Sequence, residues 1–397
     1  MFSSLDILPS DPILGLMAEF RNDPNPNKVD LGVGVYKNEA GLTPIMAAVK
    51  TAEQHVFAGE DTKSYIGPAG MPEFNEAIKK LIFGESHPAL QSNRVATVLT
   101  PGGCGALRVG AELLKRSEPK TRIWVGDPTW ANHLPLLGNA GLKIEQYPYY
   151  DRATSKLTFD AMMSALEQTS AADVVLLHGC CHNPSGADLS PEQWRAVTEL
   201  AEQKGFLPFI DLAYQGLSVG LAEDAYGARL MAERLPEVIV ASSCSKNFGL
   251  YRERVGSLSI VGTNSSSAST AISHVNNIVR GMYSMPPSHG GAIVAEILNN
   301  SELQDSWQSE LGMMRDRIND TRHLLVQKLR DAGVDRDFSF IESQHGMFSF
   351  LGISKDEIER LKTEYGIYIV DSSRTNMAGV SLANVDYVAD ALARVLI

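Results

Sequence analysis

Residues 173–211, DVVLLHGCCHNPSGADLSPEQWRAVTELAEQKGFLPFID, carry the pattern that decides the fold. An unbroken apolar run, Asp173–His178, leads into a turn of Asn, Pro, Ser and Gly. An amphipathic stretch, Pro191–Lys204, follows, and then a second apolar run over 206–211. Apolar runs of this length suit strands buried on both faces, while the stretch between them has its apolar residues at helical spacing. Pro191 suits a first helical turn with Ser190 as N-cap. Strand, helix, strand in this order gives parallel pairing with the helix laid on the sheet. Working outward, runs at 94–100, 122–126, 238–243 and 256–261 read as further buried strands separated by helical segments. The class is α/β: a mostly parallel sheet with helices on both faces, whose ligands sit outside the carboxyl ends of the strands.

Beyond residue 301 the pattern changes. A long helical stretch over 302–332 precedes a short β-like segment over 338–350 and two helices flanking 368–370. This reads as a second, smaller α+β domain, completed by the N-terminal segment. Residues 22–27 and 265–269 read as loops too short to be domain linkers. The 397-residue chain carries a formal net charge of −12 and no basic stripe, which argues against nucleic acid as a partner. No run approaches the ~18 apolar residues that span a bilayer. The start, Met1-Phe2-Ser3-Ser4-Leu5-Asp6, lacks the basic and apolar regions of a signal peptide. Cys104, Cys180, Cys181 and Cys244 have no zinc-site spacing, and His178, Cys180, Cys181 and His182 crowd onto one short turn, so no metal is expected. Buried free thiols in a reducing compartment, the cytoplasm, are the expectation.

The unusual residues fall at the ends of the expected strands. Thr100-Pro-Gly-Gly-Cys-Gly-Ala-Leu-Arg108 ends one strand and opens a helix, so its backbone N–H groups can face a phosphate at a helix N-terminus. A plain tight turn needs the same glycines, and the pattern matches neither the dinucleotide fingerprint nor the P-loop. Asn183 projects from the turn after His178. Asp211 ends an all-apolar run, where a carboxylate is costly unless paired, although a helix N-cap would explain it equally. Lys246, in Ala241-Ser-Ser-Cys-Ser-Lys-Asn-Phe-Gly249, sits just past a strand near Arg254, where burial would lower its pKa and make it nucleophilic. Together these pieces satisfy one requirement list. Pyridoxal phosphate needs a Schiff-base lysine, an acid facing its pyridine nitrogen and a phosphate cup. Lys246, Asp211, and the Gly102–Gly103 turn with Ser243, Ser245 and Arg254 supply them.

At this point the sequence resembles a known family, the fold-type I aminotransferases of the aspartate and aromatic amino-acid subgroup. The resemblance runs from Asp11-Pro-Ile-Leu-Gly-Leu16 to Ser373-Arg-Thr-Asn-Met-Ala-Gly379. It is carried by residues 243–256, by His182-Asn-Pro-Ser-Gly186, by Asp211-Leu-Ala-Tyr214 and by Tyr283-Ser-Met-Pro-Pro287. It implies a large domain over 44–313 with a seven-stranded sheet, and a small domain formed from 1–43 and 314–397. The small domain, carrying Gly34 and Arg374, would close on substrate. The resemblance also implies that Lys246, Asp211 and Tyr214 are catalytic. Trp130 would stack on the cofactor ring, and His133 and His178 would support Asp211. Gly102, Gly103, Cys104, Ser243, Ser245 and Arg254 would cup the phosphate, with Tyr65 from a partner subunit. Asn183, Tyr214 and Asp211 would hold the ring. Substrate would meet Gly34, Trp130, Asn183, Phe348 and Arg374, and Arg280 from the partner subunit would take a distal carboxylate. A homodimer follows. The family usually has a hydroxyl where Cys104 stands, and a thiol is the weaker donor.

The expected reaction moves the amino group of L-aspartate or an aromatic amino acid to 2-oxoglutarate. An enzyme specialised for aromatic substrates is an alternative. Another pyridoxal-phosphate reaction, such as β-elimination or decarboxylation, would not need Arg280, and a nicotinamide dehydrogenase would need the glycine fingerprint that is missing.

Overall fold

The helix between the two apolar runs forms at Pro191–Lys204, opened by Ser190 in a reciprocal capping box with Gln193 and closed by Gly205 in the left-handed region. It joins two adjacent parallel strands, Asp173–His178 and Leu207–Leu212, in which His178 lies opposite Asp211. The computed structural model describes residues 2–7 and 12–396; Met1 and Asp11, where the resemblance begins, lie outside them. In chain order we name the strands of the large sheet β1 (Val95–Pro101), β2 (Arg122–Asp127), β3 (Lys143–Pro148), β4 (Asp173–His178), β5 (Leu207–Leu212), β6 (Val238–Ser243) and β7 (Val255–Val261). They line up as β1-β7-β6-β5-β4-β2-β3. Strand β7 alone runs against its neighbours, antiparallel to both β1 and β6.

Among the helices that flank or brace this sheet we name α1 (Gly102–Ser117), α2 (Pro191–Lys204), α3 (Ser265–Met282) and α4 (Ser301–Asp331). The sheet separates two apolar cores. One, with Val98, Leu107, Val125, Phe209 and Leu258, packs under α1 and α3. The other holds Val175, Ile210 and Val240 and continues to Phe348 and Leu392 near the end of the chain. There β8 (Phe348–Phe350) pairs antiparallel with β9 (Arg374–Asn376). The N-terminal Val29–Asp30 pairs with Ile367–Tyr368, joining the two ends of the chain. Helix α4 also braces the large sheet's rim. Trp307 stacks on Phe248 at 4.4 Å between ring centres, and its indole N–H donates to the Asn247 carbonyl at 2.7 Å.

Three expectations need correction. Residues 265–269 are not a loop but the first turn of α3, capped by Asn264, whose side chain accepts from Ser267 N while the Ser267 hydroxyl accepts from Asn264 N. Serines are weak in helix interiors but satisfy the orphan N–H groups of a first turn. Strand β3 was not expected: only Tyr147 of its residues is buried, because it lies at the sheet edge and pairs with β2 alone. In 338–350 only Phe348–Phe350 is strand, and Ser339–Ser343 is a 3-10 turn. Among the described residues, no helix is long and apolar enough to cross a membrane.

Candidate active site

Five parallel strands and one antiparallel strand deliver side chains to a single rim. The chain leaves β1 into Gly102–Gly103, β2 toward Trp130, β4 toward Asn183, β5 at Asp211, and β6 toward Lys246. Because β7 is antiparallel, it begins where the others end, which puts Arg254, the residue before it, at the same rim. A cleft of about 280 Å³ opens there, lined by Gly34, Gly103, Cys104, Trp130, Asn183, Asp211, Tyr214, Ser243, Ser245, Lys246, Arg254, Phe348 and Arg374.

At one end of the cleft, α1 begins, with the N–H of Gly103 in its first turn. Ser243, Ser245 and Arg254 complete a ring of donors there. Glycine is required on two sides of it. Gly102 has φ +73°, and a Cβ on it would run into the Arg254 guanidinium. A Cβ on Gly256 would lie 2.5 Å from the Gly102 carbonyl carbon and 2.7 Å from Gly103 N. A helix N-terminus, two hydroxyls and a guanidinium at one spot fit a dianionic phosphate. Gly102 supports this turn from behind and does not itself line the cleft. Burial raises the Cys104 thiol despite the opposing charges of Arg254 and Lys246, so it faces the cleft as a neutral thiol.

Deeper in, Asp211 accepts from His133 Nε2 at 3.0 Å. Burial alone would raise this carboxyl. The His133 hydrogen bond, with the nearby Lys246 charge, overcomes burial and leaves it below its ordinary value. Thr129 Oγ1 lies 2.8 Å from His133 Nδ1 and 3.0 Å from His178 Nε2. One proton per contact orders the chain: His178 donates to Thr129, Thr129 to His133, and His133 to the carboxylate. His178 suits this as a neutral ring, since burial, then His133, pushes its pKa down to about 3. The arrangement is an ionised carboxylate held to face a cation, such as a protonated pyridine nitrogen.

Lys246 Nζ lies 4.8 Å from the centre of the Tyr214 ring. Burial lowers its pKa, and Arg254 adds to that, while Asp211 opposes it. Burial raises the Tyr214 phenol, so it stays a neutral donor. On the other wall, Arg374 is held by the Gly32 carbonyl at 2.7 Å and by Asn183 Oδ1 at 3.5 Å. Its guanidinium stacks over the Phe348 ring at 4.3 Å. Gly34 closes against the same ring: a Cβ there would lie 2.7 Å from Phe348 Cζ.

Two expected residues stand apart. Tyr65 is 92% exposed, and Arg280, exposed in the last turn of α3, bonds to the Ser284 hydroxyl. Neither lines the cleft. The sequence reading also missed Ile13, Leu107, Ala213 and Tyr251 in the lining, and Thr129 behind it. Only Thr129 left a signal, as a hydroxyl between Asp127 and His133 just past a strand end.

The sequence profile of the family described as aminotransferase class I and II matches residues 26–392. The chain is 48% identical to the aspartate aminotransferase of Haemophilus influenzae over 396 residues, covering 100% of both. It is 45% identical to the aromatic-amino-acid aminotransferase of Pseudomonas aeruginosa over 394 residues, covering 99% of this chain and 98% of that one. It superposes with a TM-score of 0.98 on the crystal structure of the aromatic-amino-acid aminotransferase from Burkholderia pseudomallei covalently bound to pyridoxal phosphate, at 44% identity and 100% coverage of both.

Proposed function

The chain belongs to the aminotransferase class I and II family, and on that premise we propose that it transfers the amino group of L-aspartate and of aromatic amino acids to 2-oxoglutarate, with pyridoxal 5′-phosphate as cofactor. The observation that carries this reading is the convergence on one cleft of Lys246, the His133-held Asp211, Arg374 and a ring of phosphate donors. When bound, the cofactor supplies a protonated ring that accepts electrons as the substrate Cα loses its proton.

The chain's own residues do the rest. Lys246, with its pKa lowered, would hold the cofactor through Nζ and, once the substrate amine takes its place there, would be free to accept the proton from Cα. Ionised Asp211 holds the ring nitrogen protonated. Tyr214 donates to the ring oxygen, which Asn183 also reaches, and Trp130 covers the ring face. Gly103, Cys104, Ser243, Ser245 and Arg254 hold the phosphate, with Gly102 shaping the turn behind them. With a neutral thiol at Cys104, that grip falls mainly on the N–H groups, hydroxyls and guanidinium. Arg374 forks onto the α-carboxylate, which orients the Cα–H bond, with Gly34 and Phe348 closing the wall.

Among the described residues, only Arg254 and Arg374 bring a guanidinium to the cleft, which leaves a distal carboxylate without one. Arg280 and Tyr65 are therefore assigned to the cleft of a partner copy, making the active unit a homodimer. Residues 44–313 are assigned to a large domain and 1–43 with 314–397 to a small one that carries Arg374. The four free cysteines suit the cytoplasm. An absorption spectrum of the purified protein tests the core of this reading. A visible cofactor band should shift toward the ultraviolet on adding L-aspartate and, separately, L-phenylalanine, and Lys246→Ala should abolish the band. No band after adding pyridoxal phosphate to the wild type would remove Lys246 from its role.

A further inference from the structure

Arg322 is the largest charged side chain sealed in the core, 1% exposed on α4. Burying a guanidinium is costly unless its donors are used. Here four of its five N–H groups serve a single turn. Nη1 donates to Ser349 Oγ at 2.6 Å and to the Ile341 carbonyl at 3.2 Å. Nη2 donates to the carbonyls of Gly346 and Phe348 at 2.7 Å each, and of His345 at 3.3 Å. Ser349 Oγ in turn donates to Gln344 Oε1 at 2.6 Å. The guanidinium therefore pulls inward the carbonyls of the turn that opens β8.

That turn leads directly to the substrate side of the cleft. Phe348, whose carbonyl Arg322 holds, presents its ring 4.3 Å from the Arg374 guanidinium. In the β8–β9 ladder, Phe350 lies opposite Arg374. The same turn is pinned to the rim after β4: His345 N donates to the Gly186 carbonyl at 2.8 Å, and a Cβ on Gly186 would meet the Phe348 carbonyl. Arg322 itself does not line the cleft.

We infer that Arg322 is a positioning residue for substrate binding: by gathering the His345, Gly346 and Phe348 carbonyls it sets the height of the Phe348 ring, and through it the aim of Arg374 at the substrate carboxylate. The inference rests on Arg374 being that carboxylate's clamp. A core filler of equal volume would fold the same turn without fixing three carbonyls at once. An error of an ångström in a carboxylate fork is expensive in affinity.

The test uses the cofactor-loaded enzyme and 3-phenylpropionate, an unreactive monocarboxylate, titrated spectroscopically. Arg322→Met should raise the Kd of 3-phenylpropionate and the KM for L-aspartate by about tenfold or more and lower kcat as well, since the clamp also orients the Cα–H bond, with the visible cofactor band retained. Ser349→Ala, a milder variant that removes one of the Arg322 acceptors, should move Kd the same way by about two- to fivefold. Arg374→Ala is the control for the clamp: an unchanged Kd there removes the clamp reading itself. If Arg374→Ala loses affinity while Arg322→Met and Ser349→Ala lower only thermal stability and leave Kd unchanged, the inference is wrong. Should Arg322→Met fail to fold, an unchanged Kd in Ser349→Ala overturns it alone.

Discussion

Asp188 is half-buried beside the rim and accepts from Cys181 N at 2.7 Å and His182 N at 2.8 Å. Burial pushes its pKa up to about 6, and Asp224 adds to the rise, while the two N–H groups and Arg322 restrain it. An unfolded aspartate titrates near about 4. The folded value is therefore the higher one, and this group's contribution to stability is full below about pH 4 and lost as pH rises through about 6. Asp188→Asn cannot ionise. Its melting midpoint relative to wild type should rise between about pH 4.5 and about pH 7, and a difference that stays flat across that window would refute the assignment. Gly256→Ala places a Cβ 2.6 Å from the Ser242 carbonyl oxygen and against the Gly102–Gly103 backbone. Overpacking of this kind costs about 1–3 kcal/mol. Expressed at the donor ring, that weakens pyridoxal phosphate binding by about tenfold to a hundredfold, measurable by equilibrium dialysis. Unchanged cofactor affinity would show that the ring tolerates the shift. At this scale the sequence was legible where chemistry is costly. Lys246 and Asp211 stood out because a charge ending an apolar run demands a reason, whereas Leu107, Ala213 and Tyr251 cost nothing unusual and left no mark.

Among the elements, the buried strands were readable because both their faces meet apolar neighbours, giving unbroken apolar runs such as Val174–Leu177 in β4. Edge strand β3, Lys-Ile-Glu-Gln-Tyr-Pro, has solvent along most of its length, so its pattern resembles a loop. The start of helix α3 was hidden for a different reason: its opening serines favour turns, and only the reciprocal Asn264–Ser267 bonds make them a helix start. That cap should be worth about 1 kcal/mol, so Asn264→Ala should lower the denaturant midpoint at unchanged slope. A midpoint equal to that of wild type would mean the first turn is held by its packing alone.

For the molecule as a whole, the assignment of Arg280 and Tyr65 to a neighbour's cleft makes a quantitative demand. Lys246→Ala and Arg280→Ala homodimers should each be nearly inactive toward L-aspartate. When they are unfolded together and refolded at equal ratio, random pairing puts one intact cleft in each hybrid, restoring about a quarter of the sites. No recovery in the mixture would mean each chain completes its own cleft. The layout of one chain could not have decided this from sequence, because a residue's periodicity reports whether it is buried and not in which copy's pocket it works. Tyr65, 92% exposed, reads as an ordinary surface residue until a second molecule is considered.

The reversed direction of β7 has one further consequence. Residues 244–254 leave β6 and return to the same rim, so the lysine and the arginine of the phosphate ring hang on one loop fastened at both ends to neighbouring strands. Opening of this tether would loosen both grips together. Cofactor loss should then register as a single step in hydrogen exchange, with the amides of that whole loop surrendering their protection at one common rate.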